Sequence, residues 1–224
     1  MKPVIFKSAF LILLSYALSA QDKPGTTILT GPYFGQKTPG TTPEVFADGI
    51  VSVSGAKYIT ISFSGNMDEF YLYRWNGTKA EVMFSKADNG LWTPLSEVSF
   101  MKGFKAWEPH ITYKGDMIFF IWDKPLPTGG QETPFKIWFS KKTPEGWSEP
   151  DYSGAGMYVS SDKEGNVYTT DMTSVMSTGK TYLAKVKVEN GKFSAYERLP
   201  IPEFYGSQAH PCIAPDVEEL RTEE

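Results

Sequence analysis

Two histidines, a few acids and several tryptophans are the side chains with chemistry to offer in this 224-residue chain. His110 and His210 each stand beside a proline, Pro109 and Pro211, at the opening of a strand-like run. A metal at either would need further ligands, such as Glu108 or Asp171. No His, Cys and carboxylate spacing here matches a known metal pattern. The histidines therefore read as strand-entry residues hydrogen-bonded within the fold, and neither metal nor cofactor is expected. Glycoside hydrolysis wants two facing carboxylates, and the acids placed for that work are Glu108, Asp123, Glu132 and Asp171. No nucleophile elbow, zinc-binding His-Glu-x-x-His pair or phosphate loop occurs, so no catalytic residue is assigned. Trp75, Trp107 and Trp122 fall at or near strand ends, where an exposed indole can stack on a sugar or anchor a peptide. Trp92 and Trp147 close their repeats and read as core. The candidate ligand-binding group is Trp75, Trp107, Glu108, His110 and Asp171.

The elements that must position this group come from a repeat. Its clearest copy opens with Glu108-Pro109-His110-Ile111 and turns at Lys114-Gly115-Asp116. It continues through the apolar run Met117 to Trp122, a polar loop and a strand from Phe135 to Lys141, and closes with Gly146-Trp147-Ser148-Glu149-Pro150. Copies before and after it close on Asn89-Gly90 and Asn190-Gly191. The period is roughly 45–55 residues, the range of four-stranded propeller blades. Alternation in Ile59 to Phe63 and Tyr182 to Val188 reads as half-buried strand. Asn-Gly pairs supply residues that accept positive φ. Antiparallel alternation within each blade sends Trp107-Glu108-Pro109, Arg74-Trp75-Asn76-Gly77, Asp123 to Pro134 and Asp171 to Gly179 to one face. These connections are longer and more varied than the turns opposite, as functional loops are. Val45 to Val51 reads as an edge or closing strand. No helix is expected beyond the leader, apart from a frayed turn within Glu218 to Glu224.

Residues 1–20 read as a Sec signal peptide, with Lys2 and Lys7, an apolar run from Ala9 to Leu18, and Leu18-Ser19-Ala20 before the cleavage point. The run is too short to span a bilayer, and residue 21 is Gln, not the Cys of a lipoprotein. Periplasmic or secreted localisation is expected, without membrane insertion after cleavage. Residues 21–43 form a Gly/Pro/Thr-rich extended arm, with Tyr33 and Phe34 as anchors on the first blade. The propeller occupies 44–216 and a charged tail 217–224. The net charge of −4 and the lack of a basic run disfavour nucleic acid and anionic membrane. The single cysteine, Cys212, excludes an intrachain disulfide, so packing must supply the stability.

The repeat resembles the TolB-like, WD-type β-propeller family of exported bacterial proteins. Glu108-Pro109-His110-Ile111, Phe119-Phe120, Ile137-Trp138-Phe139-Ser140 and Gly146-Trp147-Ser148-Glu149-Pro150 carry the likeness. Pro211-Cys212-Ile213-Ala214-Pro215-Asp216 is similar to the opening of a further repeat, and Tyr33 to Gly40 to the leader of an exported subgroup. The family's Ser-Pro-Asp-Gly turn is eroded here to Ser64-Gly65-Asn66. Ser160 to Gly165 is similar to the Asp-box of sialidase-like propellers, but with a late glycine. Only Arg74, Arg198 and Arg221 are available to hold a sugar carboxylate, so an ordinary turn is the better reading. The resemblance implies an all-β fold: a partial β-propeller of about three to four four-stranded blades after the signal peptide and arm. It implies an open ring, with blade edges for another chain to cover. The function expected is an exported binding or scaffold module recognising a protein or glycan partner through its upper-face loops, without catalysis. A carbohydrate-active hydrolase and an inactive truncated fragment are the alternatives.

Overall fold

Short polar side chains set the first turn of each repeat, twice through a hydroxyl and once through a carboxylate. Ser64 Oγ accepts the Glu69 amide at 2.9 Å and donates to Asp68 Oδ1 at 2.9 Å. Thr112 Oγ1 accepts the Met117 amide at 3.3 Å and donates to Asp116 Oδ1 at 2.7 Å. Asp162 Oδ1 accepts the amides of Gly165 and Asn166 at 2.9 and 2.8 Å. Such side chains mimic a backbone turn partner, and Asp162 is thus spent inside its turn. The far ends of two repeats close alike: Ser85 Oγ donates to the Thr93 carbonyl and Ser140 Oγ to the Ser148 carbonyl, each at 2.6 Å.

The computed structural model describes residues 29–126, 133–202 and 207–215. The segment read as a signal peptide, the first part of the arm, Glu132 and the tail 217–224 lie outside them. The fold is all-β and propeller-like, made of antiparallel sheets of five and eight strands. The first unit comprises β1 (Tyr58–Phe63), β2 (Glu69–Trp75), β3 (Ala80–Asp88), the two-residue β4 (Leu91–Trp92) and β5 (Ser96–Glu97). The second comprises β6 (Ala106–Ile111), β7 (Met117–Trp122), β8 (Lys136–Thr143) and the short β9 (Gly146–Trp147). The long β10 (Asp151–Ser161) pairs with β8 through Asp151 to Ala155, then with β11 (Val167–Asp171) through Gly156 to Ser161. One strand thereby ends the second unit and begins the third, which β12 (Tyr182–Glu189) and β13 (Lys192–Arg198) complete.

Alternation of side chains then builds three apolar layers. Phe70 and Leu72 of β2 face outward, while Tyr71 faces the second unit. Ile118, Phe120 and Trp122 of β7 face back toward Tyr71, while Phe119 and Ile121 face the third unit beside Ile137, Phe139, Val159, Val167 and Val186. That is why the run Met117 to Trp122 is apolar throughout: both of its faces are covered. In β12 only alternate residues, Ala184 and Val186, are buried.

The arm forms the third layer. Phe34 is buried among Phe63, Phe70 and Trp92, and the Tyr33 ring meets Phe63 at 6.0 Å. The arm therefore covers one face of the first unit, with Tyr33 and Phe34 as its anchors. Val45 to Val51 is not a strand. It is a tight turn around the buried Ala47 and Val51, in which the amides of Ile50, Val51 and Ser52 converge on the Ala47 carbonyl, with one isolated bridge between Asp48 and Ser52. Helix is also present where none was expected: α1 (Val175–Thr178), a single turn after β11, stopped by Gly179 at φ 68°.

Candidate functional site

Pairing between β6 and β7 slips by one residue between Trp107 and His110, and pairing between β10 and β11 slips between Met157 and Val159. Each slip is a bulge that re-aims a side chain. The re-aimed residues are Glu108 at φ 53° and Tyr158 at φ 57°. His210 stands at the corresponding place in the next opening, one residue before Pro211, and has φ 57°. Left-handed backbone costs a non-glycine residue about 1–3 kcal/mol and gathers at functional positions. Three repeat openings here carry it at the same place.

The three side chains meet. His210 Nε2 lies 3.4 Å from Glu108 Oε1, and the Tyr158 and His210 rings are perpendicular with centroids 5.2 Å apart. Glu108 is 7% exposed, whereas the His210 side chain is 46% exposed and faces solvent. Burial raises the pKa of the Tyr158 phenol, and the nearby Cys212 and Glu108 add to the effect. Burial and Glu108 likewise raise that of Tyr73. The result is a mouth with a buried carboxylate at its base, the Tyr158 phenol beside it and an imidazole at its rim, and the charge of Glu108 is felt as far as Tyr73.

The segment carrying His210 is tied down. The His210 amide donates to Thr170 Oγ1 at 3.0 Å, and Gln208 exchanges bonds with Thr181. Lys163 N donates to the Pro215 carbonyl at 3.2 Å, repeating the bond from Gly65 N to the Tyr113 carbonyl at 3.0 Å between the first two units. Residues 211–215 thus seat on the third unit as the second unit's inner strand seats on the first.

Of the five residues proposed from sequence, Glu108 lies in this mouth. Trp107, beside it on β6, is half-buried against Phe135 at 6.4 Å and belongs to the layer between the second and third units. Trp75 ends β2 opposite Tyr58 and is 39% exposed. Asp171 is 2% exposed; its carboxylate takes the Thr173 amide and hydroxyl at 2.8 and 2.6 Å and lies 3.6 Å from Arg198 Nε. His110 is held between Ser161 Oγ, 2.9 Å from Nε2, and Ser62 Oγ, 3.5 Å from Nδ1, and so ties three inner strands together. Sequence reasoning left Tyr158 and His210 out of the group. Aligning the three openings at Glu108, Tyr158 and His210 would have found both.

Burial pushes the His110 pKa down to about 4. A histidine that stays neutral when folded and titrates normally when unfolded stabilises fully above pH 6.5. That stability is lost as pH falls from 6.5 towards 4, because only the unfolded chain takes up the proton. The change amounts to about 2–3 kcal/mol. Urea titrations of the wild type and His110→Gln should therefore diverge across pH 7 to 4, the variant lacking this loss. Parallel profiles would place His110 in solvent.

No metal-ligand cluster of three or more His, Cys, Asp or Glu occurs among the described residues. No protein-family model and no curated protein matches the chain.

Proposed function

We propose that this chain is an exported recognition module of the TolB-like β-propeller kind, three blades and the opening of a fourth, that binds a protein or glycan partner at the mouth formed by Glu108, Tyr158 and His210. The observation that carries the reading is the recurrence of left-handed backbone at one repeat position, which turns three chemically different side chains toward one another. The repeated strain presents polar and aromatic groups together as recognition surfaces do. Trp75, exposed at the end of β2, adds an aromatic surface for a larger ligand. Binding is favoured over two-carboxylate hydrolysis because, of the other acids named for that work, Asp171 is committed to Thr173 and Arg198 and Asp123 takes the Lys105 amide at 2.7 Å. Export rests on residues 1–20.

The test is a peptide and glycan array probed with the folded protein and with Tyr158→Gly. Glycine adopts φ 57° freely, so the variant should keep its thermal midpoint while a partner bound by the wild type is lost. A partner held equally by both proteins would move the site away from the mouth. Release of product from any glycoside, abolished in Glu108→Gln, would replace the module with a hydrolase.

A further inference from the structure

The group now seated against Glu108 shows what chemistry the mouth accepts. The His210 imidazole directs a ring nitrogen to the carboxylate at 3.4 Å and stands perpendicular to the Tyr158 ring, 5.2 Å away. It reaches this place only through left-handed backbone at φ 57°, and nearly half of its side chain is exposed. Such a group can swing outward without disturbing the layers beneath. What would remain is the Glu108 carboxylate at the base with the Tyr158 ring beside it. A carboxylate pairs with N–H cations through charge-assisted hydrogen bonds, and aromatic rings attract the same cations to their faces. An alcohol or a neutral sugar hydroxyl gains only the weaker, uncharged hydrogen bond.

We infer that the Glu108–Tyr158 mouth is an organic-cation site which takes a protonated alkylamine, with His210 as a displaceable internal stand-in for the ligand. This rests on the mouth being a recognition site and specifies what it recognises. The amine can belong to a lysine side chain of a partner protein or to a small free amine.

The experiment titrates the folded chain by calorimetry with pentylamine and with pentanol, its neutral counterpart, and then with Nα-acetyl-lysine methylamide and cadaverine. Pentylamine should bind and pentanol should not. Glu108→Gln should weaken the amine about tenfold or more, as loss of a charge-assisted hydrogen bond does. His210→Ala should raise amine affinity several-fold, because the internal competitor that the ligand must displace is gone. A merely structural His210 would not raise it. Preference for the lysine amide over cadaverine assigns a protein source, and the reverse a free amine. The inference is overturned by equal binding of amine and alcohol, by no amine binding in either wild type or His210→Ala, or by unchanged or weaker binding in His210→Ala. If an array partner is lost in Tyr158→Gly while amines fail to bind, the recognition site stands and the cation assignment falls.

Discussion

Phe34→Ala is expected to lower stability by about 3–5 kcal/mol, the cost of deleting a large ring from a closed core. Phe34 is 5% exposed and sits at the centre of the arm's contact with the first unit. Its ring meets Trp92 at 4.7 Å, Phe70 at 4.9 Å, Phe46 at 5.8 Å and Phe63 at 6.0 Å. Aromatic pairs of this geometry add about 0.5–1.5 kcal/mol each beyond area burial. The arm is held beside it by Trp92 Nε1 donating to the Gly31 carbonyl at 2.8 Å and by the Trp92 amide donating to the Leu29 carbonyl at 2.9 Å. Removing the ring should loosen the arm and uncover Phe70 and Leu72. Urea denaturation followed by tryptophan fluorescence measures the loss, and a change below about 1 kcal/mol would mean that the arm contributes little to the core.

The second large effect is expected at a turn. Gly191→Ala should cost about 2–4 kcal/mol, from left-handed strain together with overpacking. Gly191 has φ 88°, and a Cβ there would fall 2.1 Å from Cε2 of the buried Phe139 ring. That ring packs in the layer between the second and third units, so it has little room to retreat. Gly90 is the control. It follows an asparagine as Gly191 does and has φ 77°, but a Cβ there meets nothing within 4 Å. Gly90→Ala should therefore show the conformational cost alone, about 1–2 kcal/mol. Thermal midpoints of the two variants, measured side by side, separate strain from packing. Equal midpoints would mean that the Asn190-Gly191 turn does not pack on Phe139.

These two glycines mark the limit of sequence reading in this protein. Asn89-Gly90 and Asn190-Gly191 look alike, and both were legible as turns because the need for positive φ is local. The repeat period, the doubly buried strand Met117 to Trp122 and the closing Trp92 were legible for the same reason: each is written in residue type and spacing along a few positions. Phe34 was legible as an anchor, since an aromatic in a Gly/Pro-rich arm has to pack somewhere. Val45 to Val51 misled, because its apolar residues suggest a strand, whereas the burial of Ala47 and Val51 against the first unit sets a turn.

The candidate site was only partly legible. Glu108, Asp171 and His110 are all polar residues at strand ends, and nothing in their types says that one lines a mouth, another holds its own turn and the third bridges inner strands. Those fates depend on where each sheet slips its register. A one-residue slip turns Glu108 and Tyr158 out of their ladders, and the hydrogen bond from the His210 amide to Thr170, 40 residues earlier, brings the third member to them. Residue type and spacing determined an all-β repeat, its turns and its core. Only the tertiary structure decided which polar residues converge, because convergence is set by pairing between strands distant in the chain, and local chemistry carries no record of that pairing.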